Sequence, residues 1–305
     1  MSLSSARGAA PAVPPDVSDR YDATAATFDA AVGRQELFTG LLWRRRQLAR
    51  RARGDVLEAS CGTGRNVAYY RLGRCRSVTM LDQSAPMVEV AREKWRKKRP
   101  AWKNVRFVTQ SALEPLPPPP PPPPQSSAPA SPASSEGYGK AETRAQAREE
   151  AERGDGPRKY DTVIQTMGLC STPSPAALLR NLGAACKPDG QILLLEHGRS
   201  YYGWLNRLLD ATAPAHADRH GCWWNKDIGA IVEDSGLEVV RVKRFHLGTT
   251  WWVELRPGRG EGRGKGGLGV EEGMRGRLGV AAEKGEGGVG EEAQRPRRQW
   301  WEVWR

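Results

Sequence analysis

The residues able to do chemistry gather between Asp55 and Asp82. Asp55-Val-Leu-Glu-Ala59 reads as a short strand that delivers Glu58 into Ala-Ser-Cys-Gly62-Thr-Gly64-Arg-Asn66. Glycines in such a loop let the backbone approach a ligand closely. A loop opening onto a helix N-terminus also presents free amides. Ser60, Cys61, Gly62, Thr63, Gly64 and Asn66 are therefore the expected cradle, with Glu58 at its entrance. A second strand, Ser77-Val-Thr-Met-Leu81, ends at Asp82, whose carboxylate can accept from two ribose hydroxyls. Gln83 lies beside it, and Met87 is placed to flank an adenine. Ser111 and Ala112 after a third strand, and Gln165 at the end of a fourth, complete the expected binding set. His197 directly follows a fifth strand and is the candidate catalytic base, able to take a proton from a phenol, quinol or thiol.

The loop discriminates between ligands. A nicotinamide fingerprint needs a third Gly or Ala three residues after its second glycine, and Val67 stands there. A phosphate-binding P-loop needs Gly-Lys-Ser/Thr, which does not follow. Glu58 would repel a pyrophosphate and attract a cation. S-adenosylmethionine, with an ammonium, a sulfonium and no phosphate, fits these constraints.

The elements around the loop follow from periodicity and breakers. Residues 1–17 read as a flexible leader whose first fifteen residues hold no acid and a single Arg, either a disordered end or a remnant of a transit peptide. Tyr21–Leu41 has helical spacing with a break expected at Gly33, and Gly40–Arg53 forms a second helix ended by Gly54. After the 55–59 strand and its turn, a helix is expected to about Arg71. Ser84–Arg99 is helical and stopped by Pro100, and Asn104–Thr109 is the third strand. Strand and helix alternating in this way give a doubly wound parallel sheet. Eight consecutive prolines, Pro117–Pro124, then open a solvent-exposed insertion running to Arg158. The fold resumes with a strand at 160–165, a helix from Ser174-Pro175 to Cys186, a turn at 187–190 and a strand at 191–195. A variable region, 197–225, precedes a helix at 227–235 and two strands, 237–245 and 249–255, that form an edge hairpin. The prediction is one α/β domain over 18–257, a seven-stranded mixed sheet with helices on both faces. Residues 258–305 read as a Gly-rich disordered tail, whose end (QWWEVWR) echoes Thr250–Arg256 (TWWVELR).

The net charge of +12 and pI near 9.8 suit an anionic neighbour. The arginine-rich helix, with Arg44, Arg45, Arg46, Arg50, Arg51 and Arg53, and the run Lys94–Arg99 fit peripheral contact with anionic lipid headgroups. No nucleic-acid recognition motif accompanies them. Five scattered cysteines with no CxxC pair fit a reducing compartment. No metal site is expected, since His216, His220 and Cys222 match no common ligand spacing. Trp204, Trp223 and Trp224 could wall an apolar pocket, anchor at a membrane interface or pack on helices.

Val56–Asn66 resembles the first motif of class I S-adenosylmethionine-dependent methyltransferases, and Val78–Met87 the second. Phe107–Pro117, Tyr160–Cys170 and Lys187–Glu196 resemble the later ones, so the resemblance covers about 20–116 and 159–257. The chain is similar to the quinone-biosynthesis type. It is also similar to eukaryotic mitochondrial methyltransferase-like proteins through Glu196-His-Gly-Arg199, Trp204-Leu-Asn206, His216 and Gly221–Asn225. The resemblance implies a Rossmann-like fold, S-adenosylmethionine as cofactor and methyl transfer to a small apolar phenol, quinol or thiol. It also implies a mitochondrial location with inner-membrane association; plastid and cytoplasm are the alternatives. Two positions depart from the family. Ser60 replaces a glycine, and its Cβ implies an ordinary backbone angle. Gln110-Ser111-Ala112 lacks the usual Asp, leaving Ser111 a weaker, uncharged acceptor. The departures keep open a non-catalytic assembly or RNA-stabilising factor in an organelle. A nicotinamide oxidoreductase is disfavoured by Val67 and Glu58.

Overall fold

The computed structural model describes residues 20–121 and 157–258. The leader at 1–17, most of the 117–158 insertion and the tail from 259 lie outside the described residues. Three helices come first: α1 (Arg20–Thr24), α2 (Phe28–Phe38) and α3 (Leu41–Ala49). They are followed by β1 (Gly54–Ala59), β2 (Cys75–Asp82), α4 (Ala85–Lys98), β3 (Val105–Thr109) and β4 (Tyr160–Thr166). The chain closes with α5 (Pro175–Ala185), β5 (Cys186–His197), α6 (Gly203–His220), α7 (Ile228–Ser235), β6 (Glu238–Phe245) and β7 (Thr250–Arg256).

The seven strands form one sheet in the order β3-β2-β1-β4-β5-β7-β6. The first five are parallel to one another, and β7 runs antiparallel to both β5 and β6. Strands buried on both faces read as near-continuous apolar runs, and β1 is buried from Asp55 to Ala59. The core joins Val56, Val78, Met80, Ile164, Leu193 and Leu195 to Leu48 of α3 and Trp95 of α4. The outer strand β6 exposes Val240 and Arg241; charge on an edge discourages pairing with another chain. Chain order reverses beside β1, which lies between β2 and β4. In such sheets ligands bind beyond the carboxyl ends of the strands at this switch point.

Several expected boundaries move. The N-terminal helix breaks at Ala25–Thr27 and not at Gly33, which sits inside α2. Thr24 donates its hydroxyl back to the Arg20 carbonyl and closes α1 there. Helix α3 stops at Ala49, and Gly54 instead opens β1 with a φ of +66°. A Cβ on Gly54 would sit 2.3 Å from an Asp161 carboxylate oxygen, so the close approach requires glycine. The helix expected before Arg71 is a chain of turns with i→i+3 bonds, Gly64 to Cys61, Val67 to Gly64 and Tyr69 to Asn66. Residues 187–190 turn away within β5, since the register jumps from Tyr160↔Cys186 to Thr162↔Gln191.

The insertion does not leave the surface at once. Pro119 is buried, and the carbonyls of Pro117, Pro118 and Pro120 accept from Tyr160, Arg106 and Arg158. An extended proline run leaves its carbonyls unpaired along the chain, and these side chains use them. The region expected to be variable contains α6, which crosses Pro214. Only Ala213 and Ala217 of α6 are buried, so it carries no apolar stripe. Among the described residues no helix is long and apolar enough to cross a membrane.

Candidate active site

The carboxyl ends of β1, β2 and β4 open into a cleft of about 1020 Å³, counted to its mouth. Its floor is the loop after β1. Ser60, Cys61, Gly62 and Thr63 line it, with Asp82, Gln83 and Met87 from the β2 side and Ser111 and Ala112 after β3. The structure thus brings together nine of the residues picked from sequence. Glu58, Gly64, Asn66 and Gln165 lie beneath this surface and do not line it.

Asp82 organises the floor. One carboxylate oxygen accepts the Gly62 amide at 2.8 Å, and the other accepts the Ser84 amide at 3.0 Å. Burial pushes the Asp82 carboxyl above its usual range, and the two amides partly oppose this. A carboxylate offers about four lone-pair sites, so both oxygens can still accept from a ligand. The loop amides are not free as expected: Cys61 donates to Leu81, Gly62 to Asp82 and Gly64 to Cys61. These three amides are withdrawn from any pyrophosphate, whereas hydroxyl donors would find a carboxylate.

Ser60 adopts a φ of +50°, contrary to the ordinary angle expected from its Cβ. The left-handed conformation costs a non-glycine residue about 1–2 kcal/mol. Gln165 offsets part of it by donating to the Ser60 hydroxyl at 3.2 Å. Gly168 makes this arrangement possible, since a Cβ there would lie 2.1 Å from Gln165 Nε2 and 2.9 Å from Ser60 Cβ.

Glu58 acts inside the protein. Its two oxygens accept from Asn66 Nδ2 at 2.9 Å and from the Tyr70 hydroxyl. Burial raises its pKa against these two hydrogen bonds. Asn66 also donates to Thr166 at 3.2 Å, tying the loop to β4. Arg99 holds the following turns from outside, donating to the Val67, Ala68 and Tyr70 carbonyls.

The cover comes from residues that sequence reasoning passed over. Tyr21 and Phe28 line the cleft from the N-terminal helices. Buried Glu36 of α2 pairs with Arg45 at 3.0 Å and with Arg65 at 2.6 Å. Asp29 accepts from Thr63 at 2.6 Å and from Arg65 at 3.0 Å, and it pairs with Lys94. Arg45 continues to Thr166 at 2.7 Å. Thus α2, the loop and β4 are joined by one buried polar network. Arg45 and Lys94, expected at a lipid surface, are used inside it. Asn181 of α5 fixes the wall after β3 by donating to the Ala112 and Leu113 carbonyls.

His197 does not line the cleft. Its Nε2 lies 2.8 Å from Cys222 Sγ, behind the wall formed by Met167, Gly168 and Ser171. His216 stacks on Trp224 with ring centroids 3.8 Å apart, and burial with neighbouring His220 lowers its pKa to about 4. Trp204 is exposed and stacks on Tyr202.

The comparisons with known proteins agree with this geometry. A family model described as a methyltransferase domain matches residues 34–242. The mitochondrial methyltransferase OMS1 of Saccharomyces cerevisiae is 37% identical over 243 residues, 78% of this chain. The chain spans about half the length of that curated relative, 45%. An O-methyltransferase family protein from Burkholderia thailandensis superposes with a TM-score of 0.52 at 15% identity, covering 81% of this chain and 64% of that one. A chain from the Haloferax volcanii complex of the Trm112 methyltransferase activator with a methyltransferase gives 0.51 at 13% identity, covering 80% and 99%. The last two likenesses show the fold. The switch-point cleft, its carboxylate floor and the family match together place this chain in the methyltransferase-domain family, among the class I S-adenosylmethionine-dependent methyltransferases.

Proposed function

We propose that this chain transfers a methyl group from S-adenosylmethionine to a small apolar acceptor that ionises readily, with a thiol preferred over a phenol or quinol. The observation that carries the reading is the cleft's donor set. Asp82 presents a carboxylate suited to ribose hydroxyls, while the Cys61, Gly62 and Gly64 amides are spent internally. Ser60, Gly62 and Thr63 would hold the amino-acid end, and Met87, Ser111 and Ala112 the adenine. When bound, the cofactor supplies an electrophilic methyl on its sulfonium. The chain's part is alignment of the two reactants, worth up to roughly 7–11 kcal/mol in well-oriented systems.

The acceptor side is apolar: Tyr21, Phe28, Met167, Leu113, Pro173 and Leu178 line the cleft. Its lining contains no imidazole, and its one carboxylate, Asp82, is assigned to the ribose hydroxyls in this reading. Burial holds the Tyr21 phenol well above its ordinary pKa, so it stays protonated and offers no phenolate base. No lining group is placed to remove a proton. An alkyl thiol, with a pKa of about 8.5, then has an advantage over a phenol at about 10. The test is turnover by the full chain on a matched panel of small apolar thiols, phenols and quinols. Demethylated cofactor released fastest with thiols supports the reading. Faster turnover of phenols overturns the preference, and no turnover with any acceptor favours the non-catalytic assembly factor.

Similarity to the yeast mitochondrial protein supports a mitochondrial location. Peripheral contact with an anionic membrane is part of the same proposal. Arg96, Lys97 and Lys98 are exposed, as are Phe38 and Trp43. Sedimentation with phosphatidylserine vesicles but not phosphatidylcholine vesicles would support that contact, and equal sedimentation would contradict it.

A further inference from the structure

Behind the cleft wall, three segments remote in sequence converge on one point. Cys170 comes from the loop after β4, His197 from the end of β5, and Cys222 from the link between α6 and α7. Their donor atoms all lie within 4.8 Å of one another, and both thiols are buried. All five cysteines of the chain are free, so no disulfide explains the approach. Isolated buried cysteines behave as small apolar groups. These two instead face each other, an imidazole and the Ser171 hydroxyl, 3.5 Å from Cys170 Sγ.

We propose that Cys170, His197 and Cys222 form a zinc site that pins the back wall of the cleft. Two thiolates and an imidazole are a donor set that selects zinc over hard cations. Bond lengths of about 2.3 Å to sulfur and about 2.0–2.1 Å to nitrogen place tetrahedral donors about 3.5–3.8 Å apart. The set reaches that spacing if the 2.8 Å contact between His197 and Cys222 opens by less than about 1 Å and the remaining separations, all within 4.8 Å, close by at most about 1.3 Å. On binding, two thiol protons are released to solvent and two sulfur–zinc bonds form, so the ion's charge is balanced by the thiolates. Three protein donors leave one position for water or another ligand.

The surroundings hold the donors in place, as an outer shell should. The Glu196 carboxylate accepts the Gly168 and Leu169 amides at 3.2 Å each, fixing the loop that carries Cys170. The Trp223 amide donates to the Cys170 carbonyl at 3.1 Å, joining the two cysteine-bearing segments. Lys226 donates to the Leu169 and Thr172 carbonyls on either side. The site adjoins the cleft through Ser171, whose hydroxyl meets that of Tyr21 at 2.9 Å. It does not depend on the methyl-transfer reading.

The test uses the full chain, purified under reductant and analysed for metal, then loaded with cobalt(II) as a spectroscopic probe. The expected result is one zinc per chain and a thiolate-to-cobalt charge-transfer band. Cys170→Ser, Cys222→Ser and His197→Ala should each lose bound zinc, while Cys75→Ser, outside the cluster, keeps it. A folded, reduced wild type that binds neither zinc nor cobalt overturns the proposal, as does zinc retained by all three variants. Peptide mapping that finds a Cys170–Cys222 disulfide in the reductant-purified protein also overturns it, in favour of a redox pair. The wild-type cobalt spectrum decides even where a variant fails to fold.

Discussion

The floor and the cover of the cleft are built differently. The floor, from Glu58 to Met87, satisfies its two buried carboxylates within the same stretch of chain: Glu58 with Asn66 and Tyr70, Asp82 with Gly62 and Ser84. The cover and back wall rely on pairs that only the fold creates. Arg45 meets Thr166 and Gln165 meets Ser60, each across more than 100 residues, and Cys170 meets His197 and Cys222. A floor made from one contiguous loop can be read as a motif. A wall made by convergence leaves only scattered single residues in the sequence.

The contrast predicts larger stability losses in the cover than in the floor. Glu36→Ala strips a buried carboxylate from two arginines. Removing one partner of a buried pair costs about 3–5 kcal/mol, and urea unfolding should show a loss of that order. A loss below 1 kcal/mol would mean the cover is dispensable. Gly168→Ala forces a Cβ toward Gln165 Nε2. Overpacking of this kind costs about 1–3 kcal/mol, and cofactor binding should weaken as Ser60 is displaced. Unchanged binding would separate the back wall from the floor. Ser60→Gly should be the mildest change and stabilising, by at most about 1 kcal/mol, because it relieves a left-handed serine. Destabilisation would show that the bond from Gln165 outweighs the strain.

The α6 side offers a pH test. His216 titrates at about 4 in the fold against 6.5 as its ordinary value. The unfolded chain therefore binds more protons between these values, and stability falls as pH drops through that window. The His216 contribution is fully present above pH 6.5. His216→Phe should keep the stack on Trp224 and flatten this part of the pH–stability profile. An unchanged slope would place the acid sensitivity elsewhere.

The same contrast governs what could be read beforehand. The succession of strands along the chain, the edge hairpin and the Asp82 position follow from apolar runs and breakers, which are local properties. Helix α6 escaped because it buries only two alanines and crosses a proline, so no periodicity marks it. The segment after the loop, expected to be a helix, closes instead as i→i+3 turns. Glu58 looked like a ligand contact from its strand-end position. Only the fold places Tyr70 against it and turns it into an internal strut. His197 and Cys222 were each visible as reactive residues, but grouping Cys222 with His216 and His220 followed sequence proximity, and the fold sends Cys222 to a strand end 25 residues earlier.

The most direct test is calorimetric titration of S-adenosylmethionine into the full chain, with NADH as the comparison ligand and Asp82→Ala and Asp82→Asn as variants. Micromolar binding of S-adenosylmethionine, lost in both folded variants and absent for NADH, is the predicted result. A folded wild type that ignores S-adenosylmethionine, or one that binds NADH in its place, would contradict the account of the cleft.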